Sequence, residues 1–289
     1  MSAKSPVAGW NGGRYWNTMG YCRMGVVGVV LWATLGLYAS VEAYGDEGEP
    51  DMGASVHAIP LMPSTTTTAP TAMLPLPLEE GFAPALHVAP SGEGPRPVMI
   101  FLHGIRANVE EQCGWWRPLG DSYGWLLCLR GDREPNTTVR QDLWTYRRRG
   151  RVHREIEVAL AALEARYPGR VSRQGTVLAG YSRGAIMAPK LVLMAPPGRF
   201  PYLFLAEGGQ DAIDRIRPGA LRRHGVQGVG LAMGTVMRRR RAERQTIPAL
   251  QRAGLQAVYV DMPGAGHRIG PSFPIDAPPA LRRMLPNSP

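Results

Sequence analysis

The chain has 289 residues, 44% of them hydrophobic and 19% charged, with a formal net charge of +10. This composition supports a sizeable core and excludes wholesale disorder, a collagen-like chain and a polytopic membrane protein. Lys4 and Lys190 are the only lysines, so the charge is arginine spread along the whole chain; without a zinc-finger spacing, an RNP-like aromatic motif or a heptad repeat, that points away from a nucleic-acid partner.

Lys4, Arg14 and Arg23 precede an uncharged run, residues 24–41, and Val41-Glu42-Ala43 follows as a small-residue cleavage pattern. This is the layout of a secretory signal, and the run is also long enough to stay in a bilayer as a single anchor. Residues 1–43 are therefore expected to be a signal peptide or an N-terminal anchor, and the protein to be exported, periplasmic or extracellular, or held at the inner membrane. No Cys follows the apolar run directly, so no lipoprotein anchor is expected. Cleavage after Ala43 removes three positive charges and one negative, taking +10 to +8.

Residues 44–79 are rich in Pro, Thr, Gly and Ala with no sustained period, and such a stretch buries too little to offset its ordering entropy. They read as a disordered linker, and residues 80–289 as the folded domain. Its first strand is expected at Pro97 to His103, followed by a helix from Glu110 to Asp121 and a strand from Gly124 to Leu129. Once Cys22 leaves with the signal, Cys113 and Cys128 remain. They form either a disulfide closing a loop of about 15 residues or two buried thiols; three cysteines are too few for a disulfide scaffold or a Cys-rich metal site. Arg130-Gly131-Asp132 is treated as a chance tripeptide. The Arg147 to Arg151 cluster, like Arg238 to Arg241 further on, is a solvated face or a contact for an anionic envelope surface.

A helix from Val152 to Tyr167 carries Val152, Ile156, Ala159, Leu160, Leu163 and Tyr167 on one face and ends at Pro168-Gly169. The strand Gly175 to Tyr181 then runs through Gly180-Tyr181-Ser182-Arg183-Gly184 into a helix from Arg183 to Met194. G-x-S-x-G between a strand and a helix is the context in which two glycines permit a tight turn that strains and exposes a nucleophilic serine. Strands follow at Tyr202 to Ala206, Gly225 to Ala232 and Gln256 to Asp261, with helices at Ala242 to Ala253 and Pro279 to Leu285. Most of these strands are continuously apolar, as expected of strands covered on both faces. Their alternation with helices predicts an α/β fold: a mostly parallel sheet with helices on both faces, and a site at the carboxyl ends of its strands.

Over roughly residues 85–289 the sequence resembles the α/β-hydrolase family. Phe101-Leu102-His103-Gly104, the elbow at Ser182, and Gly264-Ala265-Gly266-His267 stand in the family's chain order. The resemblance implies Ser182 as nucleophile and His267 as its base. It implies an oxyanion hole made by the backbone N–H groups of Ile105 and Arg183, with Gly104, Gly180 and Gly184 shaping the two turns. His103 belongs to the oxyanion loop, where its imidazole is structural; His57, His87, His153 and His224 do not follow a late strand. Most of the family places the triad acid after the penultimate strand, yet Leu231 to Met237 leads into Arg238 to Arg241 with no acid. A less common arrangement, similar to pancreatic-type lipases, takes the acid from the end of the strand after the nucleophile's. That points first to Glu207, then to Asp211, with Asp261 and Glu243 behind them.

The activity so implied is an exported serine hydrolase acting on a small-molecule carboxylic ester through an acyl-enzyme, with no metal or organic cofactor. The alternatives are a serine peptidase with the same machinery and a catalytically silent scaffold used for binding. About 20 residues separate the strand ending at Ala206 from the next, which leaves no room for a long lid and favours a short-chain or soluble ester. Trp115, Trp116 and Trp125 either line the pocket or belong to the core.

Overall fold

The computed structural model describes residues 72–79, 81–236 and 240–285, with the backbone alone at 240–244. The expected signal or anchor, most of the expected linker, the side chains of Arg238 to Arg241 and that of Glu243 lie outside the described residues. In chain order the elements are β1 (Leu74–Leu76), β2 (Ala85–Val88), β3 (Arg96–Leu102), β4 (Ala107–Asn108), α1 (Val109–Tyr123), β5 (Trp125–Cys128), β6 (Asp132–Arg133), β7 (Leu143–Thr145) and α2 (Arg149–Arg166). They continue with β8 (Val171–Tyr181), α3 (Arg183–Val192), β9 (Tyr202–Ala206), α4 (Gln210–Ile216), α5 (Pro218–Arg223), β10 (Gly228–Gly234), α6 (Arg240–Arg252), β11 (Gln256–Met262) and α7 (Phe273–Met284). Among the described residues no helix is long and apolar enough to cross a membrane.

Eight strands form one sheet in the order β1-β2-β5-β3-β8-β9-β10-β11, and β4, β7 and β6 form a small antiparallel one. From β5 to β11 every neighbouring pair in the large sheet is parallel, and β2 is antiparallel to both its neighbours. The apolar strands are sandwiched as predicted. Val98, Ile100 and Leu102 of β3 pack into one layer with α2 and α3, while Met99 and Phe101 pack into the other with α1 and α7. The side-chain period of 2 along a strand makes each run serve both layers. This is the α/β fold expected: a mostly parallel sheet with helices on both faces.

Several boundaries differ from the expectation. The linker is expected to extend to residue 79, but Leu74–Leu76 is a strand paired with β2, and Leu76 is 2% exposed. Pro75 masks it in the sequence, yet an edge strand tolerates a residue that lacks an N–H. The last helix begins at Phe273 rather than Pro279, with Pro278 and Pro279 inside it. Its buried face outweighs the lost backbone bonds: Phe273 meets Trp116 edge-on at 5.2 Å. β8 starts four residues earlier than expected, its register against β3 shifting between Pro97 and Met99. The expected strand at Gly225 starts instead at Gly228, because Gly225 occupies a turn at φ +89°.

Cys113 in α1 and Cys128 at the end of β5 are disulfide-bonded, with Cα atoms 6.0 Å apart and 15 residues between them in sequence. A crosslink closing a loop of that size contributes about 3 kcal/mol by restricting the unfolded chain. Replacing both cysteines with alanine is expected to lower unfolding stability by that amount, read from urea midpoints. A midpoint unchanged by the double replacement contradicts this contribution.

Candidate active site

The chain runs from β3 to β5 on one side and returns to β8 on the other, so a topological switch point lies between β3 and β8, where crevices form at strand ends. Register fixes what meets there. Leu102 pairs with Gly180 and Tyr181 with Ala206, which sets His103-Gly104-Ile105, Ser182 and Glu207 side by side.

Ser182 takes φ 51°, ψ −111° between β8 and α3, a strained conformation for a residue with a Cβ, costing roughly 1–3 kcal/mol. The surroundings enforce it. A Cβ on Gly184 would lie 2.0 Å from the Leu102 carbonyl oxygen, and one on Gly180 would lie 2.6 Å from the Ala185 nitrogen. Both positions therefore exclude any side chain. The Ser182 N–H donates to the Ala206 carbonyl at 2.9 Å and the Gly184 N–H to that of His103 at 3.1 Å, tying the turn to its two neighbours.

The Ser182 Oγ lies 2.8 Å from His267 Nε2, a hydrogen bond between the expected nucleophile and base. Behind the imidazole, Glu207 Oε2 is 3.6 Å from His267 Nδ1, with the Glu207 side chain 2% exposed and that of His267 51% exposed. At that distance the contact is electrostatic and longer than a hydrogen bond; sites without substrate are often looser than their complexes. Glu207 is held at φ 53°, its N–H donating to the Ala232 carbonyl and its Oε1 accepting from the Gly234 N–H. Asp211 is not brought to the imidazole. It is exposed in the first turn of α4, and its carbonyl accepts from Arg215 Nε at 3.0 Å. Asp261 is the sixth residue of β11.

The two expected oxyanion donors face the same end of the sheet. Arg183 opens α3, where first-turn N–H groups have no intrahelical acceptor, and Ile105, itself 59% exposed, lies in the loop after β3. Gly104 is fixed between them, its N–H donating to Gln112 Oε1 at 2.8 Å. His103 is structural. It is fully buried, stacked on Tyr146 at 4.3 Å, with its ring nitrogens 2.7 and 2.8 Å from the Gly104 and Arg130 carbonyls. Burial pushes its pKa down to about 4, against the two carbonyl contacts, which favour the charged form. His87 and His224 are likewise engaged elsewhere, with Tyr167 and the Ala195 carbonyl.

Three positioning residues carry no sequence signal of their own. The Tyr181 hydroxyl donates to the His267 carbonyl at 2.8 Å and its ring stacks on the imidazole at 5.6 Å. Burial, and then the Glu207 charge, push that phenol up to about 12, so it remains a donor. Gln112 holds the loop after β3 through the Gly104 N–H. Gly234 both donates to Glu207 and lets the base loop approach, since a Cβ there would meet the Ala265 oxygen at 2.4 Å. Of the tryptophans, Trp116 and Trp125 are wholly buried in the core. Trp115 lies edge-on to Tyr181 at 5.7 Å. The Arg-Gly-Asp tripeptide is spent internally, Arg130 pairing with Glu110 and with Asp142 at 2.9 Å. In the Arg147 to Arg151 cluster, Arg147 pairs with Glu134 and Arg151 with Asp132.

Beneath the oxyanion loop, Glu155 of α2 is fully buried. It accepts from the Gly131 N–H at 2.9 Å, and its second oxygen has no partner among the described residues. Burial raises it from about 4.5 to about 7, against the pull of the Gly131 N–H and Arg151. The native state then keeps a proton that the unfolded chain releases above pH 4.5. Its contribution is complete below that value and is lost as pH rises through 7, by roughly 3 kcal/mol. Glu155→Gln is expected to flatten the decline in urea midpoint between pH 5 and pH 8; a decline of the same slope in both proteins refutes this.

No protein-family model matches the chain, and no curated protein matches it. Among solved structures it is similar to TT1662 from Thermus thermophilus, at 19% identity and a TM-score of 0.49 over 75% of this chain and 99% of that one. It is also similar to esterase PE8, at 18% identity and 0.47 over 69% and 97%, and to the Bacillus cereus carboxylesterase, at 18% identity and 0.45 over 70% and 95%.

Proposed function

We propose that this chain is an exported serine hydrolase that cleaves carboxylic esters through an acyl-enzyme on Ser182. The observation that carries the reading is the 2.8 Å contact between Ser182 Oγ and His267 Nε2 on a strained elbow, with a buried carboxylate behind the imidazole. Ser182 Oγ attacks the ester carbonyl carbon while His267 Nε2 takes its proton. The carbonyl oxygen becomes an oxyanion that accepts from the Ile105 and Arg183 N–H groups, donors worth on the order of 3 kcal/mol each. The imidazolium, facing Glu207, passes its proton to the leaving alkoxide, and the alcohol departs. Water then repeats the sequence on the acyl-enzyme, returning the carboxylic acid and free serine.

The case for a silent scaffold rests on the acid missing after the penultimate strand, and a carboxylate at Glu207 removes that support. Export is supported by the signal-like residues 1–43 and by the disulfide, which favours an oxidising compartment. Hydrolysis of p-nitrophenyl acetate and butyrate, with covalent labelling of the folded protein by a fluorophosphonate, tests the activity. A folded protein that takes up no label and turns over neither ester overturns it.

A further inference from the structure

Each of the three segments that supply the chemistry carries an arginine at the position after its working residue. Arg106 follows Ile105, Arg183 follows Ser182 and Arg268 follows His267, and all three are exposed. Among the described residues none of them is paired with a carboxylate, whereas Arg130, Arg151, Arg173 and Arg199 all are. Arg183 donates from Nη2 to the carbonyl of Tyr146, the residue after β7, at 3.3 Å. Arg106 is held in that loop at φ 50°.

Arg268 stands at a groove of about 390 Å³ whose other walls are Trp115, Ile269, Gly270, Pro271 and Pro274. The groove adjoins the site through a chain of rings: Trp115 meets Tyr181 edge-on, and Tyr181 stacks on His267. Its walls are thus apolar and aromatic, with one cation. An occupant matched to them has a short apolar body and an anionic end.

Chemistry also fixes which half of the ester that is. The leaving oxygen has to come within reach of His267, because the imidazolium is its acid. A groove that begins at Arg268, the residue after the base, and reaches the imidazole through the Trp115 and Tyr181 rings is therefore assigned the alcohol half. We infer that the preferred substrates are esters whose alcohol half carries a carboxylate, received by Arg268 over the Trp115 ring, with Arg106 and Arg183 adding to the positive field at the mouth. This inference rests on the ester-hydrolase reading above and specifies the substrate of that same site. A cationic rim of this kind acts mainly through attraction that salt screens, so its effect shows in kcat/KM at low ionic strength.

The test compares 4-acetoxybutanoate with its neutral counterpart 4-acetoxybutanamide, and uses p-nitrophenyl acetate as the reference for each variant. The wild type is expected to prefer the carboxylate by about tenfold in kcat/KM at low salt, the preference shrinking as salt is raised. Arg268→Gln is expected to bring the ratio near unity and Arg268→Glu to reverse it. Equal rates on the two esters in the wild type, a ratio that survives Arg268→Gln, or turnover of p-nitrophenyl acetate with neither acetoxy compound cleaved would each overturn the anionic-alcohol assignment. In all three cases the hydrolase reading stands. Loss of turnover on all three esters, by contrast, defeats the hydrolase reading itself.

Discussion

Ser182→Ala is expected to lower kcat for p-nitrophenyl butyrate by a factor on the order of 10⁴ to 10⁶ and to abolish fluorophosphonate labelling. Alanine keeps the Cβ that the φ of 51° already accommodates and removes only the Oγ, so the elbow and its ties to Ala206 and His103 persist. What disappears is the bond-forming atom and with it the acyl-enzyme route. His267→Ala is expected to cost nearly as much, since a serine hydroxyl without its base is a weak nucleophile near neutral pH. The double variant is expected to be scarcely worse than either single one, because nucleophile and base act as a unit. Residual hydrolysis above the background in water then reports the oxyanion donors at Ile105 and Arg183. Steady-state rates and intact-protein mass after labelling provide the measurement. A Ser182→Ala protein that still takes up label, or keeps a tenth of the wild-type kcat, places the nucleophile elsewhere.

The parts of this site legible in the sequence are those with a local cause. The strand Tyr202–Ala206 is a five-residue apolar run whose bounds match the expectation. Ser182 is legible because the glycines around it answer to steric limits that no other residue meets. Glu207 has no such local cause: only the resemblance points to it, through an arrangement that takes the acid from the end of the strand after the nucleophile's, which here is β9, ending at Ala206. The parts that could not be read depend on contacts between distant segments. Gly234 looks like any strand-end glycine until the base loop packs against it. Tyr181 is the variable residue of its motif, and its bond to the His267 carbonyl spans 86 residues. β1 hides in a proline-rich stretch because its pairing with β2, and not its own pattern, makes it a strand. α7 hides behind two prolines because the value of its buried face is set by Trp116 and Phe204 on other elements.

Glu207→Gln is the variant that separates the first two of the four carboxylates named from the sequence. The amide oxygen can still accept from the Gly234 N–H, so the backbone of the site is expected to hold. Its NH₂ then faces His267 Nδ1 in place of a carboxylate oxygen. A donor opposite Nδ1 disfavours the tautomer that leaves Nε2 free to take the serine proton, and it removes the charge that stabilises the imidazolium. A full charge about 4 Å from the ring is worth about 4 kcal/mol at an effective dielectric constant of ~20. That corresponds to about 10³ in rate, and because His267 is half exposed the expected loss in kcat is about 10² to 10³. KM is expected to change little, since Glu207 is buried behind the imidazole and does not face the substrate. Asp211→Asn, on the exposed first turn of α4, is expected to keep wild-type kcat. Full activity in Glu207→Gln, or a larger loss in Asp211→Asn, would transfer the orienting role away from Glu207, whereas the expected order identifies the carboxylate at the end of β9 as the third member of the site.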